Sequence, residues 1–360
     1  MEDVKLMKGN EVIAIAAIRC GCDGYFGYPI TPQSEVLETL MAEKPWETTG
    51  MVVLQAESET ASINMVYGGA ASGKMVMTSS SSPGLSLMCE GISYIAGAEL
   101  PCLVVDVVRG GPGLGTIQPS QSDYFQATKG GGHGDYHLVV LAPNSVQEMN
   151  DFVGLGFDIA FRYRNPVMIL SDGIIGQMME KVVLSPQKPR RTEAEIRTLC
   201  DSWAANGKNG RASRNIVTSL NLKSELQEQK NIDLFKKYDE ITKKEVRFEK
   251  IACDDAQYIF VAYGSSARIC EKAIELAREE GIKVGLLRPI TLYPFPTKAI
   301  AELAEKVDGF LSVEMSMGQM VEDVRLAVNG KKTVHHFGRC GGIVHSPNEV
   351  LDALKKLLVK

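Results

Sequence analysis

Short apolar runs without polar alternation recur along this chain, each followed by a stretch of helical period. Residues 103–108 and 138–141 are such runs and read as strands buried on both faces. Residues 25–28, 52–54, 75–79 and 167–170 read as further strands. Helical patterns fill the intervals at 59–72 and 85–96, and Ser145 caps a long helix after residue 141. Asn10 reads as the cap of a helix carrying Val12, Ile13, Ile15, Ala16 and Ile18. Thr31-Pro32 reads as a cap followed by proline at the first helical position. Such alternation implies a parallel sheet covered on both faces. The last hundred residues repeat it, with strands at 258–262, 284–287, 310–314 and 334–337 and helices at 267–280, 298–306, 320–328 and 347–358. A second, smaller open α/β sheet is expected there.

Between the two lies a segment of different composition. About half of residues 222–250 are charged, while Leu222, Leu226, Phe235, Tyr238 and Ile241 are spaced roughly as a helix stripe. A solvated helix bridging two domains fits this pattern. The chain has 360 residues and a formal net charge of -5, so it has no general electrostatic pull toward nucleic acid or anionic membrane. Its start, Met1-Glu2-Asp3-Val4-Lys5, lacks the basic and apolar regions of a signal peptide, and no apolar run is long enough to span a bilayer. A cytoplasmic protein is expected. The eight cysteines are scattered, and Cys20 and Cys22 are one residue too close for a CxxC pair. Iron–sulfur clusters normally take four thiolates in tight spacing, so none is expected on this chain.

Two glycine-rich stretches imitate nucleotide-binding loops. Residues 68–75 nearly match a Walker A loop, but Met75 stands where Ser or Thr must hold magnesium, and the stretch ends a helix rather than opening one. Gly73 fits a helix C-terminus better. Residues 109–115 follow a strand, but their glycines miss the dinucleotide register and Pro112 interrupts the turn. That loop does offer a cation, Arg109, at the carboxyl end of a buried strand, where ligands of open α/β sheets collect. Bidentate binding of a small carboxylate and a surface ion pair both fit it. Glu59 opens a helix, where a carboxylate favours the dipole, yet Ala61, Ile63 and Val66 put it near the apolar face. The turn Ser79-Ser80-Ser81-Ser82-Pro83-Gly84 suits either a ligand cradle or a capped helix start.

Taken in order, several motifs together resemble the 2-oxoacid:ferredoxin oxidoreductase family. They are Tyr28-Pro29-Ile30-Thr31-Pro32, Glu59-x-Ala61-Ser62, Ser82-Pro83-Gly84 and Arg109-Gly110-Gly111-Pro112-Gly113. The likeness continues in Arg288-Pro289-Ile290-Thr291-Leu292-Tyr293-Pro294-Phe295-Pro296, Met315-Ser316-Met317-Gly318-Gln319-Met320 and Gly338-Arg339-Cys340-Gly341-Gly342, so it spans nearly the whole chain. The resemblance implies an α/β fold: a pyrimidine-type, open parallel-sheet domain that binds thiamine diphosphate, then a smaller α/β domain like the transketolase C-terminal domain. The expected divisions are 1–180, a charged, largely helical linker at 181–250, and 251–360.

The same resemblance implies the site. The glutamate matching Glu59 contacts N1′ of the thiamine aminopyrimidine, where a carboxyl sharing a proton promotes the imino tautomer. Arg109 would hold the substrate carboxylate, and the Thr31 hydroxyl would contact substrate or thiazolium. Ser82, Pro83 and Gly84 would lie against the pyrimidine ring. His133, in Gly131-Gly132-His133-Gly134-Asp135, is read either as part of a glycine-rich lid or as an ordinary surface loop. The implied reaction is CoA-dependent oxidative decarboxylation of a 2-oxoacid, with electrons passed to ferredoxin. The glycine-rich runs 109–115 and 130–135 look more like the branched-chain, 2-oxoisovalerate members than the 2-oxoglutarate ones. A 2-oxoglutarate enzyme, a non-redox thiamine-dependent decarboxylase or synthase, and a non-catalytic α/β scaffold are the competing readings. In thiamine enzymes the half that holds diphosphate and metal carries Gly-Asp-Gly with a later asparagine. Here the nearest string is Ser171-Asp172-Gly173, and no asparagine lies between it and Asn206. The Mg2+ site and the iron–sulfur clusters are therefore expected on partner subunits, with a ferredoxin or ferredoxin-like subunit as electron acceptor.

Overall fold

Strands built from Val, Ile, Leu and Met with no polar face can be buried only between two covering layers. In the computed structural model, which describes residues 3–358, the strands Cys102–Val108 and Pro166–Asp172 are buried along their whole length. They sit at the middle of a seven-stranded sheet. Its order is Thr291–Tyr293, Val139–Leu141, Pro166–Asp172, Cys102–Val108, Val76–Ser80, Gly24–Gly27 and Val52–Gln55. Every neighbour is parallel except Thr291–Tyr293, which runs antiparallel to Val139–Leu141. Gly9–Arg19 packs against Val146–Tyr163 and Ser34–Glu43, while Glu59–Ala71 packs against Ser82–Gly97.

A second sheet has the order Thr333–Gly338, Gly309–Glu314, Tyr258–Val261, Val284–Pro289 and Phe248–Ile251, the last strand antiparallel. Alternate residues of its central strand face opposite ways. Ile259 and Val261 join the core that runs through the first sheet, whereas Phe260 and Ala262 join a cluster with Ala273, Val350 and Leu354. One face of the second sheet is thus buried against the rest of the chain, and the other is covered by Gly264–Glu279 and Pro347–Leu358. Fully buried Arg288 also spans the halves, pairing with Glu249 at 2.7 Å and with Glu148.

Several local expectations need correction. Asn10 does not cap its helix. Lys8 takes the cap position, and Asn10 is the second residue of the helix, buried, with Nδ2 donating to the Pro32 carbonyl at 2.6 Å. Thr31-Pro32 does not open a helix either: it forms a turn, and the helix begins at Ser34 behind Gln33. Ser82 and Pro83 lie within the first turn of their helix rather than ahead of it, with Ser81 at the cap. In the charged segment the helix Ser224–Lys244 buries Leu234, Tyr238 and Ile241, while Leu222, Leu226 and Phe235 stay exposed. Among the described residues no helix is long and apolar enough to cross a membrane. Met1 and Glu2, the first residues of the start read above for a signal peptide, lie outside the described residues.

Candidate active site

Four neighbouring parallel strands deliver the four N-terminal motifs. Gly24–Gly27 leads to Thr31, Val52–Gln55 to Glu59, Val76–Ser80 to Ser82, and Cys102–Val108 directly to Arg109. After Val52–Gln55 the chain crosses back over Gly24–Gly27 to form Val76–Ser80 on its other side. The order therefore reverses at this place, and ligands of open α/β sheets bind at the carboxyl ends beside such a reversal.

Each loop is pinned from below. Gln33 is fully buried and accepts from Ser79 Oγ at 2.6 Å while donating to the Tyr28 carbonyl at 3.2 Å. Tyr25 and Ser79 exchange a hydroxyl hydrogen bond at 2.7 Å. These contacts fix the 28–33 turn to the neighbouring strand. Arg109 closes the constellation: Nη1 donates to the Thr31 carbonyl at 3.0 Å and Nη2 to the Leu114 carbonyl at 3.1 Å. Its residue is only 8% exposed, its Nε has no partner, and among the described residues no carboxylate pairs with it. A buried guanidinium bound only to neutral carbonyls is suited to an incoming anion.

Glu59 stands at the first position of its helix, behind Ser58, whose Oγ accepts from the Ala61 N–H at 3.1 Å. The residue is 7% exposed, and its carboxylate has no hydrogen bond among the described residues. Gly84 makes room for it: a Cβ there would stand 2.7 Å from Glu59 Oε1 and 2.2 Å from Ser80 Oγ. Ser80 Oγ and Ser81 Oγ are buried and without partners. A free carboxylate beside unpartnered hydroxyls, at a cradle that one methyl group would fill, fits a flat nitrogen heterocycle offering donors and acceptors.

The C-terminal motifs come to the same place, which spacing alone did not reveal. A cleft of about 570 Å³ lies between Ser82 and Pro83, the 111–113 loop, and Met317, Cys340 and Gly341. Buried Glu314 shapes the Met317 turn by accepting from the N–H groups of Gln319, Met320 and Val321, each at 2.9 Å. Gln121, also buried, locks the loop after Arg109 to Met315 through two hydrogen bonds of 2.9 Å. His133 does not join this group. It is exposed and borders a separate cavity with Tyr94 and Leu220, its carbonyl accepting from Ser93 Oγ at 2.7 Å. Asp172 is committed inside the protein: it caps the helix Gly173–Gln177, and Ser265 Oγ donates to it at 2.7 Å. Gly73 ends its helix with φ +84, as expected of a terminating glycine.

Residues 15–244 match a family model described as pyruvate flavodoxin/ferredoxin oxidoreductase, thiamine diphosphate-binding. Residues 256–350 match one described as pyruvate:ferredoxin oxidoreductase core domain II. The chain belongs to the 2-oxoacid:ferredoxin oxidoreductase family. Within this family it is similar to the ketoisovalerate oxidoreductase subunit VorB of Methanothermobacter thermautotrophicus, at 49% identity over 98% of this chain and 97% of that one. Its identity to the 2-oxoglutarate synthase subunit KorA of Archaeoglobus fulgidus is 38%, over 93% of this chain and 95% of that one. Among solved structures it resembles a 2-oxoglutarate:ferredoxin oxidoreductase from Magnetococcus marinus, with TM-score 0.82 and 27% identity. That match covers 99% of this chain but only 65% of the solved one. An inactive split-gene transketolase tetramer, with TM-score 0.62 and 12% identity, shares the fold. The family's α/β architecture, a thiamine-type sheet followed by a transketolase C-terminal-like one, is therefore the fold of this chain, and its activity class is oxidoreduction of 2-oxoacids.

Proposed function

We propose that this chain supplies the pyrimidine half of a thiamine diphosphate site in a heteromeric enzyme that oxidatively decarboxylates 2-oxoisovalerate to its acyl-CoA, passing electrons to ferredoxin. The observation that carries the reading is the convergence of Thr31, Glu59, Ser82 and Arg109 at the ends of four adjacent strands, with the Arg109 guanidinium bonded to the Thr31 carbonyl. The cofactor-binding unit is taken as 1–180, the linker as 181–250 and the second unit as 251–360, save that Phe248–Ile251 pairs into the second sheet and Thr291–Tyr293 into the first; the second unit contributes Met317 and Cys340 to the cleft. A cytoplasmic location suits an electron acceptor of the ferredoxin kind.

Thiamine diphosphate, when bound, supplies the carbanion chemistry that decarboxylation requires. The protein groups bind, orient and hold protons. Glu59 holds a proton at N1′ of the aminopyrimidine, its otherwise unpartnered carboxylate being relieved by that contact. Ser82, Pro83 and Gly84 carry the ring, with Gly84 giving close backbone approach. The Thr31 hydroxyl would contact the substrate or the thiazolium. Arg109 orients the substrate through its carboxylate, using the guanidinium face left without an anionic partner. Diphosphate, Mg2+ and the iron–sulfur clusters belong to partner subunits.

Arg109→Met tests the carboxylate assignment. Loss of a charge-assisted pair costs about 1.5–3 kcal/mol, so kcat/KM for the oxoacid falls roughly 10–150-fold while thiamine diphosphate affinity stays within a few-fold. A collapse of cofactor binding with an unmoved oxoacid KM would instead assign Arg109 to the cofactor or the fold. The substrate reading is tested by steady-state competition in the assembled enzyme. It expects a higher kcat/KM for 2-oxoisovalerate and related branched oxoacids than for 2-oxoglutarate. The greater similarity to ketoisovalerate subunits than to 2-oxoglutarate ones supports this order, and a preference for 2-oxoglutarate overturns it.

A further inference from the structure

Ser82 is held by two carboxyl groups at once. Asp106 Oδ1 accepts its backbone N–H at 3.2 Å, and Asp123 Oδ2 lies 2.5 Å from its hydroxyl. The same hydroxyl oxygen is 3.1 Å from the backbone N–H of Arg109. The hydroxyl also lies 3.2 Å from the Arg109 carbonyl; having one proton, it donates to the nearer Asp123 carboxylate and accepts from the Arg109 N–H. Asp106 is fully buried and Asp123 nearly so, and both converge on Ser82, one at its N–H and the other at its hydroxyl. Among the described residues Asp106 Oδ2 has no hydrogen-bond partner, and no Lys, Arg or His side chain pairs with either acid. Two acids drawn to one serine, one of them fully buried, disfavour carrying two charges at once. A proton held by the pair relieves the second charge and gives Asp106 Oδ2 a role as donor.

We propose that Asp106 and Asp123 share one proton and act together as positioning residues for this active site, fixing Ser82 at the cofactor turn and, through Ser82, the backbone of Arg109. The proposal rests on the reading of Ser82 and Arg109 given above. Burial pushes the Asp106 carboxyl well above the usual carboxylate range, and the charge of Asp123 adds to this; burial raises Asp123 as well. The titratable neighbours do not displace the proton. Cys89, on the same helix as Ser82, and Tyr263, at the end of Tyr258–Val261, are both pushed up by burial and stay neutral. Arg109, which follows the Asp106 strand, turns its guanidinium to the Thr31 and Leu114 carbonyls. The folded pair keeps a proton that the unfolded chain releases above the ordinary carboxylate range. Its contribution to stability therefore falls as pH rises toward the raised pKa.

The test uses the assembled enzyme. Infrared spectra at neutral pH are expected to contain the carbonyl band of a protonated carboxyl, shifted by aspartate labelled with carbon-13 at the carboxyl and missing in Asp106→Asn. Asparagine at 106 keeps an acceptor for Ser82 N–H and a donor toward Asp123, whereas Asp123→Asn removes the charge that Ser82 donates to. Turnover is therefore expected to fall roughly tenfold further in Asp123→Asn than in Asp106→Asn. A wild-type spectrum without a label-sensitive protonated band overturns the shared proton. Equal losses, or a greater loss in Asp106→Asn, overturn the assigned roles. Because the band is read without substrate, its absence is distinct from a failure of the enzyme to use any 2-oxoacid.

Discussion

Glu59→Gln lowers turnover by roughly 10²-fold or more while leaving folding and assembly intact, the scale on which a positioned acid–base group acts. Glutamine has nearly the same shape and keeps one acceptor oxygen. The difference lies in the proton: an amide does not share one with a ring nitrogen, so the tautomer needed for C2 deprotonation is no longer favoured. The structure gives little reason for collateral damage. Among the described residues the Glu59 carboxylate makes no hydrogen bond that the fold would lose, and the helix cap is Ser58, which the substitution leaves in place. The variant should therefore purify with its partners, and the rate of C2 proton exchange in bound thiamine diphosphate should fall with turnover. A variant with near wild-type turnover and normal exchange sinks the assignment of Glu59.

The second large effect concerns the chain by itself. Isothermal titration of the isolated chain with thiamine diphosphate and Mg2+ is expected to give binding at best ~10²-fold weaker than in the assembled enzyme, because half the ligand's polar contacts are missing. Mg2+ takes carboxylate, amide and phosphate oxygens in near-octahedral array. The acid that most resembles a metal-binding motif, Asp172, has other work: Ile174, Ile175 and Ser265 all donate to it, and it joins the first sheet to the second. No asparagine follows it before Asn206. Tight stoichiometric binding, or oxoacid decarboxylation by the chain alone, would show the half-site argument to be wrong.

Much of the architecture was legible because burial writes itself into a sequence. Apolar runs such as 103–108 read directly as central strands, and Met320–Val328 and Pro347–Leu358 carry helical periodicity within a few residues of their ends. Two short edge strands were not legible, although other short strands such as Val52–Gln55 and Val139–Leu141 were. Phe248–Ile251, inside the charged segment, becomes the antiparallel edge of the second sheet. Thr291–Tyr293, far along the chain, becomes the antiparallel edge of the first. A strand of three or four residues is defined by the neighbour it pairs with, and that neighbour is remote in sequence. The Asn10 and Thr31-Pro32 readings failed for a related reason. Local rules offered each a capping role, but Asn10 is turned inward to the Pro32 carbonyl, a contact across twenty-two residues.

The sequence by itself determined which residue types stand after each strand, and motif order was enough to nominate Thr31, Glu59, Ser82 and Arg109. Only the tertiary structure decided that Arg109 has no carboxylate partner among the described residues, that Gly84 clears the space beside Glu59, and that Met317 and Cys340 face the same cleft. The one hint of the acid pair was Asp106 itself, a carboxylate inside an apolar strand. Its partner Asp123 lies on the loop that returns past the end of that strand and gave no signal of its own. Strand order and loop return, rather than spacing, set such distances. A buried charge is interpretable only when the groups around it in space are known, because they decide whether it is paired, protonated or waiting for a ligand.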